Sequence, residues 1–385
     1  MMSVDEVWDV IDRDVPSLPP ARVPLADAGI LRENILAPRD MPSFDRSAMD
    51  GYLARMDELP GARLHVGRAV FPGEPPRSPE PGMAIRISTG APIPDGAFGI
   101  VKREDALRHE DGTIVLGTAP SAGWIRRSGS QARAGSLLLP AGTRLEPAST
   151  ALLASAGIGS VLASPIPAVG HIATGSEIAR PGEPLRPWSI PDANSPMVAA
   201  LLSKQGARLE SWHLIPEDAR ILAELLRRDL PLQIISGGAG PGEADVTLRS
   251  LREAGFEPLV TGVAVRPGKP FLLARRGRSI AVGLPGNPLS HFVCFQLFVR
   301  RVLDRLFGAR SANLVEVPVP ASRRPPADER ETWWPSQWKI HADGFSIERL
   351  PWCDSSDLTH LHRANALLRV PAGGLTTPAA EAMFL

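Results

Sequence analysis

The chain has 385 residues, enough for two to four domains, and its 42 Lys and Arg residues balance its 42 Asp and Glu residues. A net charge of zero gives no reason to expect binding to nucleic acid or to an anionic membrane, and no apolar run approaches the roughly 20 residues that span a bilayer. The acidic, amphipathic start is unlike a signal peptide, and Cys294 and Cys353 show neither a disulfide framework nor metal-site spacing. We therefore expect a cytoplasmic protein with reduced thiols, no nucleic-acid partner and no membrane partner.

The first 165 residues predict two domains, one of which is split. Residues 2–13 have the apolar periodicity of a short amphipathic helix. Residues 42–135 contain short apolar runs cut by Gly and Pro, such as ARLHVG, MAIRIS and GTIVLG, which are typical of a small β-rich domain. The helical stretch PASTALLASAG follows it, and we expect this helix to pack with the N-terminal one. Residues 1–41 and 136–165 would then form one domain from two segments.

From residue 166 onwards, strands and helices alternate. PAVGHIAT, ARLESWHLI, PLQIISGG and SIAVGL are apolar strand patterns, and amphipathic helical patterns separate most of them. This alternation predicts a doubly wound α/β domain at residues 166–311, with a largely parallel sheet covered on both faces. Residues 312–385 return to short strands and prolines and predict a β-barrel or sandwich. The expected fold class is therefore multidomain α/β.

Four loops of the predicted α/β domain are rich in Gly and Pro: TGSEI, SGGAGPGEAD, RPGKP and GLPGNP. Because ligands of such sheets bind where strands end, we expect these loops to surround one pocket. Their glycine amides can form an anion-binding concavity, Lys269 supplies an ammonium group, and Glu177 and Asp245 offer carboxylates for Mg²⁺. Taken singly, Asp245 is a helix N-cap and Glu177 a surface acid. The four loops together favour a phosphorylated ligand.

The stretch AVGLPGNPLSHF places Pro285 and Pro288 around Gly286, so a stiff turn contains one residue that permits close backbone approach. Pro288 then begins a long helix, and a helix N-terminus favours anions.

Other motifs argue against common alternatives. There is no G-x-x-x-x-G-K-[ST] phosphate loop, GGAGPG lacks dinucleotide-binding spacing, and Ser290 lacks the setting of a hydrolase nucleophile. His360 and His362 lie two residues apart and would point to opposite faces of a strand, which favours a surface or structural role.

In the β-rich region, MPSFDRSAMDGY and IRISTGAPIPDGAFGIVKRED are more elaborate than simple hairpin turns require. With the four loops above, these stretches resemble, in order, the motifs of the molybdopterin molybdenumtransferase family, which is related to the C-terminal part of gephyrin. The resemblance covers residues 1–310 and continues more faintly through CDSSDL and RANALLRVPAGG. It implies an elongated homodimer of four-domain subunits, with a C-terminal β-barrel and a site shared between the subunits.

The resemblance also implies an activity and its participants. The family inserts molybdenum from molybdate into adenylylated molybdopterin and releases AMP, with Mg²⁺ required. The molybdopterin adenylyltransferase is a further implied partner. The residues implied as catalytic are Asp50, Thr89, Glu177 and Asp245, and those implied to hold Mg²⁺ are Glu177, Asp245 and Glu217. The residues implied to bind the ligand are Ser236, Gly237, Gly238, Gly242, Arg266, Lys269, Pro285, Gly286, Asn287 and Pro288.

The chain also departs from the family pattern. Gln131 and Ser176 stand where the family usually has acids, Arg266 stands where lysine is usual, and Asp357 replaces a glycine. Fewer negative charges would weaken Mg²⁺ binding. A second hypothesis is therefore a diverged, non-catalytic carrier or scaffold that binds molybdopterin. The sequence does not distinguish molybdate from tungstate or name the enzyme that receives the product.

Overall fold

The structure is a computed structural model that describes residues 1–238, 244–309, 311, 313–341 and 344–385; of residues 244 and 245 it describes the backbone alone. The described helices are α1 Val4–Asp14, α2 Pro147–Ser155, α3 Asn194–Lys204, α4 Ala219–Leu226, α5 Ala244–Glu253, α6 Pro288–Cys294, α7 Arg300–Phe307 and α8 Leu358–Leu361. A π-helical turn, Phe295–Val299, joins α6 to α7, and short 3₁₀ turns lie at Leu25–Asp27, Arg103–Asp105, Ala122–Trp124 and Ala321–Arg323.

The described strands before the α/β region are β1 Ala21–Pro24, β2 Ala28–Leu31, β3 Ile35–Leu36, β4 Arg46–Ser47, β5 Gly51–Arg55, β6 Arg63–Val70, β7 Met83–Ile87, β8 Phe98–Lys102, β9 Ala106–Arg108, β10 Thr113–Leu116, β11 Ile125–Arg126, β12 Leu137–Leu139 and β13 Ser160–Pro165. The later ones are β14 Ala168–Thr174, β15 Ile178–Ala179, β16 Ile190–Pro191, β17 Arg208–Ile215, β18 Leu232–Ser236, β19 Glu257–Thr261, β20 Val265–Arg266, β21 Leu272–Arg276, β22 Ser279–Leu284, β23 Val315–Pro318, β24 Glu331–His341, β25 Gly344–Arg349, β26 Ala366–Val370 and β27 Ala379–Phe384.

The chain divides into two compact units, residues 31–161 and residues 1–30 together with 162–385. The smaller unit contains a six-stranded sheet in the order β8-β5-β7-β6-β10-β9, as the Gly- and Pro-punctuated sequence predicts. The division into five sequence segments, with a split N-terminal domain, stays a prediction.

The N-terminal helix packs against the α/β core. Ser3 caps α1 in a reciprocal capping box with Glu6. The apolar face of the helix, including the fully buried Val7 and Ile11, belongs to the same cluster as the sheet and its long C-terminal helix. The Nε1 of Trp8 donates to the carbonyl of Leu297 at 2.8 Å. The expected packing of α1 with the 147–157 helix, which belongs to the smaller unit, stays a prediction.

The larger unit is built around a mixed six-stranded sheet in the order β17-β14-β18-β22-β21-β19. The first four strands pair in parallel, and β21 pairs antiparallel with both of its neighbours, β22 and β19. Successive residues of β18 face opposite layers: Ile234 packs in a core cluster with α1, α3 and α6, and Ile235 packs in a cluster with α4 and α5. Helices therefore cover both faces, as the alternation of strands and helices in the sequence predicts.

Residues after the long helix form another sheet together with β20, which precedes that helix; the order is β20-β24-β26-β27-β23, with β25 paired to β24. Trp334 and Leu368 are part of its own apolar cluster. Closure of this sheet into a barrel stays a prediction. No described helix combines the length and apolar character needed to cross a membrane.

Candidate active site

A cavity of about 820 Å³ lies in the larger unit, where the parallel strands end. The loops after β17, β14, β18 and β22 line it, because the carboxyl ends of neighbouring parallel strands meet at one edge of a sheet. The turn before β21 and a C-terminal loop complete its wall. The predicted site residues that line the cavity are Glu177, Glu217, Ser236, Gly237, Gly238, Arg266, Lys269, Pro285, Gly286, Asn287 and Pro288.

The loop after β18 approaches its neighbours too closely for a side chain. Gly237 and Gly238 have positive φ values of 90° and 65°. A Cβ on Gly237 would lie 2.6 Å from the Thr174 carbonyl oxygen, and one on Gly238 would lie 2.7 Å from Thr247 Oγ1. The Gly237 amide donates to the Leu284 carbonyl at 3.2 Å and is not available to a ligand. Within the described residues, the Gly238 and Gly286 amides have no such backbone partner.

The carboxylates of the cavity fall into two kinds. Glu177 and Glu217 have no side-chain hydrogen bond or ion pair within the described part of the chain, so their oxygens remain open to a ligand. Asp192, which the sequence analysis missed, is buried and accepts hydrogen bonds from the amide of Ser195 at 3.0 Å and from its hydroxyl. Asp192 therefore fixes the start of α3.

Asn194 lines the same cavity and has a buried acceptor atom without a partner among the described residues. Its Nδ2 donates to the Gly286 carbonyl at 2.7 Å, whereas its buried Oδ1 has no hydrogen-bond partner among the described residues. A buried acceptor without a donor is costly, so this oxygen fits a cation or a ligand donor. The stretch IPDANS gave no signal of this role before the fold brought it beside GLPGNP.

The cationic side chains of the cavity differ in their partners. Arg266 forms an ion pair with Asp328 and lies over the Trp352 ring, 5.7 Å from its centroid. Arg330 also lies near Asp328, with its Nε 3.8 Å from the carboxylate. Within the described residues Lys269 has no ion pair. Asp328 therefore already offsets the charge of Arg266, and the neutralisation of phosphate by Arg266 and Lys269 stays a prediction.

We expected the helix N-terminus after GLPGNP to be open to an anion, but its first amides are already hydrogen-bonded. The amides of Leu289 and Ser290 both point to the Ser355 carbonyl, at 3.0 and 3.3 Å. The Asn287 side chain donates to Ser355 Oγ at 2.6 Å and accepts from Ser356 Oγ at 3.2 Å. A loop from the C-terminal part of the chain thus satisfies the donors that were predicted to bind phosphate.

Two buried histidines lie beneath this edge of the sheet. His171 Nε2 is 2.7 Å from Ser236 Oγ, and His291 Nδ1 is 3.1 Å from the Pro285 carbonyl. Burial lowers the pKa of His171 to about 3 and that of His291 to about 4. Both are therefore neutral at physiological pH, and they support residues that line the cavity.

The remaining predicted residues belong to the smaller unit or lie outside the described residues. Asp50 and Thr89 belong to the smaller unit, where Asp50 Oδ1 accepts from the Thr89 amide at 2.7 Å and from its hydroxyl at 3.0 Å. These bonds lower the pKa of Asp50, the amide contributing most. Gly242 and the side chain of Asp245 lie outside the described residues, although Asp245 belongs to the first turn of α5.

Comparison with known proteins identifies the family. Residues 2–157 match the model described as MoeA N-terminal region (domain I and II), and residues 170–305 match a probable molybdopterin binding domain. A molybdopterin molybdenumtransferase from Haemophilus influenzae is 36% identical over 287 residues, which cover 73% of this chain and 71% of the relative. The chain belongs to the molybdopterin molybdenumtransferase family.

Other members agree with this placement. Molybdopterin molybdenumtransferase 2 of Mycobacterium tuberculosis is 34% identical over 325 residues, which cover 80% of each chain. A solved molybdopterin biosynthesis MoeA protein from Pyrococcus horikoshii matches with a TM-score of 0.69 and 27% identity, covering 100% of this chain and 99% of that one. The resemblance drawn from the motifs is thus confirmed, and the mixed α/β fold is that of the molybdopterin molybdenumtransferase family.

Proposed function

We propose that this chain is an active molybdopterin molybdenumtransferase that inserts molybdate into adenylylated molybdopterin and releases AMP. The observation that supports this best is the cavity at the carboxyl edge of the parallel sheet. There Glu177 and Glu217, without partners in the described part of the chain, line the same space as Lys269. This combination suits a ligand that contains a pyrophosphate group and a divalent cation.

The described residues fit Mg²⁺. Glu177 and Glu217 provide carboxylate oxygens, the ligand type that Mg²⁺ prefers, and the unpartnered Asn194 Oδ1 adds a neutral acceptor. Asp245, whose side chain is not described, is a further proposed ligand from the sequence. When bound, Mg²⁺ would supply charge stabilisation at the phosphoanhydride of the substrate.

The chain's own groups would bind and orient the substrate. Lys269 would offset phosphate charge, and the amides of Gly238 and Gly286 would donate to phosphate oxygens. Asn287 holds the C-terminal loop across the helix N-terminus and so closes one wall of the cavity. Asp50 and Thr89 are proposed as catalytic residues, contributed through a homodimer whose site is shared between subunits.

We also propose the family's domain architecture and cellular location for this chain. These are a doubly wound third domain, a C-terminal β-barrel, the split N-terminal domain and cytoplasmic location. The molybdopterin adenylyltransferase is proposed as the partner that supplies the adenylylated substrate.

The test is molybdate-dependent AMP release by the purified protein supplied with adenylylated molybdopterin, Mg²⁺ and molybdate. The active enzyme should release AMP only when molybdate is present. Glu217→Gln should lower the rate, whereas the neighbouring Asp218→Asn should not, because Asp218 caps α4 through the amides of Arg220 and Ile221 and Asn retains that cap. Tight substrate binding without AMP release would instead support the non-catalytic carrier suggested by Gln131 and Ser176.

A further inference from the structure

We propose that Cys353, Asp357 and His360 form a binding site for one borderline-soft divalent metal ion, such as Zn²⁺, at the wall of the cavity. A sulfur, an oxygen and a nitrogen atom, one from each of these residues, all lie within 4.8 Å of one another. This mixture of thiol, carboxylate and imidazole is the ligand set of zinc sites. The site goes beyond the proposed function, since Mg²⁺ prefers oxygen ligands.

The local fold holds the three groups in place without a metal. Asp357 is the N-cap of α8, and its Oδ1 accepts from Thr359 Oγ1 at 2.7 Å and from the His360 amide at 3.2 Å. Its Oδ2 accepts from the Cys353 amide at 3.0 Å. The side chain of Asp357 is only 5% exposed, so the carboxylate has little freedom to leave the cluster.

One hydrogen bond of the cluster can be exchanged for a metal ion. His360 Nδ1 lies 2.7 Å from Asp357 Oδ2, three residues apart on the same side of α8. A metal ion would take the place of the proton between imidazole and carboxylate, while the Cys353 and Thr359 donors keep the carboxylate oriented.

The thiol is accessible to an incoming ion. Cys353 is exposed and lines the cavity together with Asp354, Ser355 and Ser356. The other cysteine, Cys294, is fully buried, and burial raises the pKa of its thiol strongly, which excludes it as a competing ligand. An ion held by Cys353 would therefore face the space proposed for the substrate.

The two histidines at positions 360 and 362 do not lie in a strand. Residues 358–361 are a short helix and not a strand, so His360 and His362 are not on opposite sides of a sheet. His362 is exposed, and its Nδ1 lies 2.9 Å from the Thr359 carbonyl. His362 is therefore a matched control: it lies two residues from His360 and outside the cluster.

Titration of the full chain with Co²⁺ under reducing, magnesium-free conditions tests the proposal without any substrate. We expect one Co²⁺ per chain, a near-ultraviolet charge-transfer band from thiolate to cobalt, and loss of that band when Zn²⁺ is added. Cys353→Ser should abolish the band, and His360→Gln should weaken binding about tenfold or more. His362→Gln should bind as the wild type does.

The Ser variant separates ligation from folding, because the Cys353 group that bonds to Asp357 is its backbone amide and is unchanged by the substitution. A wild-type protein without a thiolate band would overturn the proposal. An equally strong band in Cys353→Ser would overturn it too. Either result is independent of AMP release, so failure here is distinguishable from failure of the proposed transferase activity.

Discussion

At the scale of single residues, the cavity depends on Gly268, a position where any side chain is strained. Gly268 follows Pro267 in the RPGKP turn, has φ of 122°, and lies against the buried helix that starts at Pro288. A Cβ there would lie 2.5 Å from Cys294 Sγ. The turn that presents Lys269 therefore has a steric requirement as well as a conformational one.

Gly268→Ala should lower the free energy of unfolding by about 2 to 4 kcal/mol, because it adds overpacking to backbone strain. Gly277→Ala is the control: φ is 58° there and nothing lies within 4 Å of the added Cβ, so about 1 kcal/mol of strain is expected. Urea unfolding followed by tryptophan fluorescence measures both. Equal losses in the two variants would show that contact with Cys294 is unimportant.

At the scale of elements, adjacent acids divide structural and ligand-binding roles. Asp218 caps α4 with hydrogen bonds of 2.8 and 3.2 Å, whereas Glu217 lines the cavity. The loop after β17 thus supplies both the N-cap of α4 and a side chain that lines the cavity.

Asp218→Ala should cost about 1 kcal/mol of stability, the usual loss for a helix N-cap. Glu217→Gln should leave the unfolding midpoint unchanged and raise the Mg²⁺ concentration needed for half-maximal AMP release. Paired thermal unfolding and Mg²⁺ titrations check the assignment. A large stability loss in Glu217→Gln, with an unchanged Mg²⁺ requirement, would reverse the two roles.

The sequence predicted the α/β elements well because their signals are local. The strand pattern LQIIS of β18 and the amphipathic pattern of α4 can each be recognised within one short stretch of sequence. Loops at the ends of neighbouring parallel strands must then converge at one edge of the sheet. Contacts between distant segments were not predictable in this way. The contact of the Ser355 carbonyl with the helix N-terminus depends on how the C-terminal loop crosses the site.

At the scale of the whole molecule, the two neutral histidines link folding to pH. The pKa values of His171 and His291 are lowered by burial to about 3 and about 4, below the ordinary value of 6.5. The unfolded chain therefore binds protons below about pH 6.5 that the folded chain does not bind. Stability is fully present above that pH and falls as the solution is acidified.

Each histidine should contribute a slope approaching about 1.4 kcal/mol per pH unit between pH 6 and 5. In His291→Asn the side-chain NH₂ replaces the ring donor to the Pro285 carbonyl. This variant should lower the slope of unfolding free energy against pH by about 1.4 kcal/mol per pH unit, the contribution of one proton. The exposed His65→Asn is the control. Unfolding free energies at pH 7, 6 and 5 provide the comparison, and identical slopes in wild type and His291→Asn would disprove the linkage.

The most direct test of the central claim is a crystal structure of the protein with AMP and Mg²⁺. We expect the nucleotide phosphate to lie in the cavity at the carboxyl edge of the parallel sheet, close to Lys269, with Mg²⁺ held by Glu177 and Glu217. Nucleotide bound elsewhere on the chain, with this cavity holding only solvent, would contradict it.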